Sequence, residues 1–296
     1  MTQFAPILLL GPGRGGTTLL YKLLALHPQV AFISNYDTHS IGRSLAGPLC
    51  RLTSRAIALK QAAWFENNGQ AYVPKRAFLK KWIPAPVEGE NVYRKCGLTL
   101  DEYSGDTNQA TTDCLRNTFA DLQGRHGGAV LLLKRTANNR RIPALLTAFP
   151  ESRCIVLWRD GRAVTASLLN VDWWMDHQVW WANSQSPRQM GLDRAGMVRL
   201  AAQNWVQEVD SIRRGLAHAR SGQQIHVRYE DLLSKPQQTL SYLFGHIGLQ
   251  LPTEFTDAIG TLGLRPAGES WRRTLSIDEQ AIVGAVSERH LKSLGY

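Results

Sequence analysis

Residues 7–18 read Ile-Leu-Leu-Leu-Gly-Pro-Gly-Arg-Gly-Gly-Thr-Thr, an apolar strand that runs through a glycine-rich turn into a helix. That order builds a phosphate-binding loop, where backbone N–H groups and the positive end of a helix meet an anion. Gly11 and Gly16 have the spacing of the loop that binds nucleoside triphosphates, but Thr17 stands where that loop carries its Lys. Arg14 supplies the positive charge from inside the turn instead. The substitution argues against kinases and ATPases, whose chemistry needs the loop Lys.

Further along the chain, Ala129–Leu133, Cys154–Trp158 and Ile225–Tyr229 join Ile7–Leu10 as apolar runs of strand length, with Val30–Ser34 as a further short strand. None alternates apolar with polar residues along its core, as expected of parallel strands covered on both faces. Helical stretches separate them. Thr17–Leu26 stops at His27-Pro28, Ile142–Ala148 stops before Pro150, and Arg162–Leu169 follows a strand directly. Met197–Ala217 carries Leu200, Ala201, Trp205, Val209 and Ile212 on one side. This alternation predicts an α/β fold: a P-loop-like parallel sheet of about four to five strands flanked by helices, in a single domain over residues 1–296. Two stretches, 34–95 and 170–196, are irregular and long for a compact sheet, as acceptor-binding insertions would be. The second holds Trp173, Trp174, Trp180 and Trp181, which suit either ordinary packing or the aromatic wall of a pocket.

The chain has 296 residues, 44% of them hydrophobic, and a formal net charge of +10. That balance suits a polyanionic ligand. No run of like charges forms a basic tail, and no aromatic-and-basic repeat marks a nucleic-acid surface, so no nucleic-acid partner is expected. No apolar stretch is long enough for a membrane span, and the first apolar run ends in the loop rather than forming a signal peptide. Cys50, Cys96, Cys114 and Cys154 show no C-x-x-C spacing. They are expected to be free buried thiols in a reducing compartment, and the location cytoplasmic.

Arg159-Asp-Gly-Arg-Ala-Val-Thr-Ala-Ser167 follows the strand Cys154–Trp158. A cation at the carboxyl end of a parallel strand faces the crevice where α/β folds bind ligands, and Arg can grip a phosphate with two hydrogen bonds. Lys134 ends the strand before it in the chain. Arg14, Lys134 and Arg159 therefore converge from three strand ends, and would repel one another unless an anion lay between them.

With these motifs in place, the sequence resembles the sulfotransferases that use 3′-phosphoadenosine 5′-phosphosulfate (PAPS). The loop is similar to that family's 5′-phosphosulfate loop, with Gly15 where Ser is usual. Arg159 and Ser167 resemble the 3′-phosphate contacts, and Val227-Arg-Tyr229-Glu-Asp-Leu resembles a third shared segment whose Tyr helps to hold the nucleotide. The ending from Trp271-Arg272-Arg273 to Tyr296 is similar to that of many bacterial members. Lys134 lies 15 residues before Phe149-Pro150, the spacing of the tyrosylprotein-like branch.

The resemblance implies that Arg14, Gly15, Gly16, Thr17 and Thr18 hold the 5′-phosphosulfate. It implies Arg159, Ser167, Tyr229 and Arg272 or Arg273 for the rest of the nucleotide. Lys134 contacts the transferring sulfonyl group, no metal is needed, and PAP is the product. The acceptor is then a hydroxyl of a small molecule, glycoside or sugar. The branch's Glu base after the first helix is absent, since His27-Pro28 leads to Ile33-Ser34-Asn35. Asp37, His39 and Glu88 are the candidates to replace it. A competing reading takes Gly11-x-Gly13-x-x-Gly16 as a dinucleotide fingerprint of a nicotinamide-dependent oxidoreductase, with Asp37, 26 residues after Gly11, on the ribose. A third takes the domain as a non-catalytic binder of polyanions.

Overall fold

Strand β1 (Ile7–Leu10) is buried along its whole length and lies at the centre of the sheet. It pairs in parallel with β3 (Val130–Lys134) on one side and β4 (Arg153–Trp158) on the other. β2 (Val30–Phe32) extends the sheet beyond β3, and β5 (Gln224–Arg228) extends it beyond β4. All five strands are parallel, in the order β2-β3-β1-β4-β5. The computed structural model of the chain describes residues 4–38, 43–66, 80, 82–98 and 107–296.

Successive side chains of a strand point to opposite faces, and the apolar runs supply both. Ile7, Leu9, Leu132, Ile155 and Leu157 enter one core layer; Leu8, Leu10, Leu131, Leu133 and Val156 enter the other. The first layer packs against α1 (Thr17–Ala25), α3 (Ile57–Trp64), α11 (Pro236–Ile247) and α12 (Thr253–Thr261). The second packs against α5 (Gln109–His126), α6 (Asn138–Ala148) and α9 (Arg194–Leu216). The remaining helices are α2 (Arg43–Thr53), α4 (Glu90–Lys95), α7 (Gly161–Leu169), α8 (Pro187–Met190), α10 (Tyr229–Ser234), α13 (Trp271–Thr274) and α14 (Ile277–Ser293).

Several expectations need correction. β5 does alternate: Ile225 and Val227 are buried while His226 between them is exposed, because β5 is an edge strand with its outer face in water. Tyr229 opens α10 instead of closing the strand. Stretch 34–95 is less irregular than its composition suggests, since it contains α2, α3 and α4. The four cysteines are not all free. Cys96 and Cys114 form a disulfide that ties the end of α4 to α5. Cys50 and Cys154 are free and buried, and burial pushes both thiols up to about 12, which leaves them unreactive. The dinucleotide reading expects β2 beside β1, as in the open nucleotide-binding sheets of that class; here β3 occupies that place.

Helix α6 begins four residues before the sequence suggests. Asn138, Asn139, Arg140 and Arg141 precede the stretch expected to be helical but form its buried first turn. Each has a partner inside the protein: Asn138 donates to the Tyr93 hydroxyl, and Arg141, with no exposed surface, donates to both carboxylate oxygens of Glu90. Pro143 sits inside the helix and cannot donate to the carbonyl of Asn139. Ser211 Oγ from α9 donates to that carbonyl instead, at 3.1 Å.

Candidate active site

The turn after β1 is held by its own backbone. Gly15 N–H donates to Pro12 O at 2.9 Å, and Arg14 takes a left-handed conformation with φ 64°. A side chain in that region is held there at a cost of about 1–3 kcal/mol, which concentrates at ligand-binding turns. Gly16 follows with φ 90°, and a Cβ on it would lie 2.3 Å from the Tyr229 ring. Helix α1 then starts at Thr17 with no side-chain cap and no acidic residue in its first turn. The amides and dipole at that end thus carry no cap and no carboxylate from the helix itself, an arrangement that suits an anion.

The three motifs meet in one assembly. Arg14 Nε donates to Ser167 Oγ at 3.1 Å, and Arg159 Nη1 donates to the carbonyl of Arg14 at 2.8 Å. The Arg159 guanidinium lies 4.4 Å from the centre of the Tyr229 ring, which itself packs on Gly16. Arg159 Nε is buried and lacks a hydrogen-bond partner among the described residues. A buried guanidinium N–H in that state is what an anionic oxygen satisfies.

Lys134, the last residue of β3, is 3% exposed and donates to Thr18 Oγ1 at 3.4 Å. It also donates to Glu88, which Arg135 grips from the other oxygen. Glu88 reaches this position because the segment before it runs alongside the end of β2: Val87 N–H donates to Ile33 O, and Ser34 bridges to Pro86. Burial pushes the Glu88 carboxyl up, but Lys134 and Arg135 outweigh it and hold the group below the usual range. Glu90, two residues on, pairs with Arg135 at 2.9 Å and with Arg141 at 2.7 Å.

Most of these residues line one cleft of about 1160 Å³, while Gly15, Ser167, Glu90 and Arg141 do not. The loop, Lys134, Glu88, Arg159 and Tyr229 face it, together with Trp173, Trp174, Trp180, His177, Asn204 and Glu208. The tryptophans do both things their sequence allowed. Trp174 is buried against Leu168, Val179 and Leu200, yet it borders the cleft with Trp173 and Trp180. Trp181 donates to Asn204 instead and does not line it.

Not every expected residue is there. Asp37 is buried away from the cleft, accepting from Ser34 N–H and Ser34 Oγ and facing His126 and Arg125. His39 lies outside the described residues. Arg272 is exposed, paired with Glu269 and stacked on Trp271, and neither it nor Arg273 lines the cleft. Arg265, seven residues earlier, does. Its position was hidden because nothing in the local pattern ranks one of these three arginines above another. Glu208 was missed too, although one signal was present: it is an acid on the buried side of α9, beside Trp205, Val209 and Ile212. Burial raises its carboxyl above the ordinary range, against the hydrogen bonds of Asn139 and Trp180 and the charge of Arg140.

The chain matches the family model described as the sulfotransferase family over residues 6–253. No curated protein matches it. Among solved structures, sulfotransferase STF9 from Mycobacterium avium superposes with a TM-score of 0.60 at 20% identity, covering 99% of this chain and 77% of that one. Sulfotransferase STF1 from Mycobacterium tuberculosis gives 0.56 at 18% identity, with 97% and 76% covered. A sulfotransferase domain from the curacin biosynthetic pathway gives 0.50 at 17% identity, with 100% and 99% covered. At such identities the superpositions carry the five-stranded fold, while the sequence match, which spans the loop, Lys134 and the Arg159 motif, carries the kinship: the chain belongs to the sulfotransferase family.

Proposed function

We propose that the protein transfers a sulfonyl group from PAPS to a hydroxyl of a small molecule, glycoside or sugar. The observation that carries this reading is the convergence of Arg14, Lys134 and Arg159 on one cleft, beside an uncapped helix start and opposite an aromatic wall. Arg14, the amides of Gly15 to Thr18 and the Thr17 and Thr18 hydroxyls grip the 5′ end of the donor. Arg159 with its unpartnered Nε, Ser167 and Tyr229 hold the 3′-phosphate end, with Arg265 as the cation from the C-terminal part of the chain. The bound donor supplies the sulfonyl group and a phosphate as leaving group.

The protein's part is positioning and charge stabilisation. Lys134 neutralises the oxygen that separates from sulfur. Of the two candidate bases among the described residues, Glu88 lines the cleft with Lys134 and Asp37 does not, so Glu88 accepts the proton of the acceptor hydroxyl. A carboxylate held low by two cations is a weak base. When Lys134 turns to the leaving oxygen, Glu88 keeps only Arg135, and its basicity rises as the acceptor needs it.

The test is incubation with PAPS and a panel of hydroxylated aromatics, glycosides and sugars, read by mass for a gained sulfonyl group. Lys134→Ala should cut turnover about 10²–10³-fold and leave PAPS affinity within about threefold, because Lys134 acts on charge that develops during transfer. No product from any acceptor, together with no calorimetric binding of PAP, would sink the reading. Wild-type turnover in Lys134→Ala would remove the role given to that residue.

A further inference from the structure

Two buried polar side chains, Asn139 on α6 and Glu208 on α9, connect the phosphate loop to the aromatic wall. Gly11 N–H donates to Asn139 Oδ1 at 3.3 Å, and Asn139 Nδ2 donates back to Gly11 O at 3.0 Å. Asn139 Nδ2 also donates to Glu208 Oε2 at 2.6 Å. The other oxygen of Glu208 accepts from Trp180 Nε1 at 3.2 Å, with Arg140 Nη1 at 3.9 Å. Arg140 in turn stacks on the Trp180 ring, 4.7 Å from its centre.

The chain of hydrogen bonds has one permitted direction. Turning the Asn139 amide over would set N–H against the N–H of Gly11 and oxygen against oxygen. Glu208 must therefore accept at Oε2, and it accepts at Oε1 because an indole N–H only donates. Asn139 is also fixed through its backbone, since Ser211 holds the carbonyl that Pro143 leaves free. Gly11 has no slack: a Cβ there would lie 2.7 Å from both Leu157 O and Thr17 Cγ2. A shift of Gly11 is thus passed to Thr17, at the start of α1. Asn139 does not line the cleft, so its influence on the site runs through Gly11 and Glu208, to which it is bonded.

We propose that Asn139 and Glu208 are positioning residues that set the phosphate loop in register with Trp180, so that the donor and acceptor sides of the cleft are fixed as one unit. The proposal rests on the donor and acceptor assignment above for what the two sides bind. It explains why a costly buried acid occupies an apolar helix face where Leu would pack at lower cost. Loss of any one member leaves its neighbours buried and unsatisfied, and the disturbance runs along the chain to the loop.

The test follows the Gly11 amide by hydrogen exchange in protein labelled with ¹⁵N-glycine. Glu208→Gln should speed exchange at Gly11 about tenfold while Gly161 and Gly245, which lie off the path, keep their wild-type rates. Trp180→Phe removes the indole N–H end of the chain and should speed it about threefold, with no added effect in an Asn139→Ala background. Rates at Gly11 within twofold of wild type in both Glu208→Gln and Trp180→Phe would overturn the proposal. A uniform acceleration of all glycine amides would overturn it as well, since that marks general loosening. In parallel, PAP affinity by calorimetry should fall in Glu208→Gln and Trp180→Phe, although neither residue is assigned to the nucleotide. A wild-type protein that fails to bind PAP defeats the donor assignment alone, and the Gly11 rates then still decide whether Asn139 and Glu208 register the loop.

Discussion

Gly16 is the tightest point of the loop. It holds φ at 90° and carries the Tyr229 ring where a Cβ would be. Gly16→Ala therefore meets both a strained backbone and a ring that cannot yield without releasing Arg159. We expect PAP affinity to drop about 100-fold, by the roughly 3 kcal/mol that such strain and clash cost, while the melting temperature falls by only a few degrees. Calorimetric affinity near wild type would refute this. The loop could be read from sequence because tight anion-binding turns leave few alternatives to Gly. Glu88 could be nominated but not chosen, because what brings it to Lys134 is the Ser34–Pro86 bridge, a contact between segments far apart in the chain. Arg265 could not be separated from Arg272 and Arg273, because a guanidinium near an acid three residues away pairs locally, and sequence does not record which arginine is left for a ligand.

At the level of elements, strands with unbroken apolar runs were legible and polar helix starts were not. Asn138 to Arg141 break the apolar period, yet each side chain is matched to a partner from elsewhere in the chain. Periodicity sees the solvent-avoiding residues and is blind to polar residues that bring their own satisfaction. The Cys96–Cys114 link was missed for a related reason: a spacing of 18 residues identifies no motif, and only the packing of α4 on α5 brings the sulfurs together. Alkylation of the unfolded, unreduced protein should label two cysteines, and four after reduction. Reduction should lower stability by about 3 kcal/mol, the loop-closure value for a link of this span, read as a lower midpoint in urea. Four labelled cysteines without reductant would exclude the bond.

For the molecule as a whole, several carboxylates depend on their ionised form. Asp37 is pushed up by burial but held low by His126 and Ser34; Glu88 is held low by Lys134 and Arg135, and Glu90 by Arg141 and Arg135. Each has a folded pKa below its unfolded one. Their stabilisation is complete above the unfolded carboxylate range of about 4, and is lost as pH falls through the folded values. The melting temperature should hold steady near neutrality and drop steeply below about pH 4. Asp37→Asn should lower it at neutral pH and make the acid drop shallower. A melting temperature flat down to about pH 3 would contradict these pairings.

The assembly of Arg14, Arg159, Ser167 and Tyr229 has a kinetic consequence. Under the proposed reaction, the 3′-phosphate end it grips is the same before and after transfer, and the charge that appears at the 5′ end falls to Lys134. Such a grip is uniform binding: it lowers the energy of donor and spent nucleotide alike and discriminates neither. The interlocked guanidinium groups thus make the exhausted nucleotide a strong competitor for the next donor. Throughput is then paced by clearance of the by-product rather than by chemistry. Progress curves should bend early and straighten when a PAP-degrading phosphatase is added; curves unaffected by the phosphatase would show that the grip is not uniform. An organism using this protein at speed would need such a scavenger close at hand.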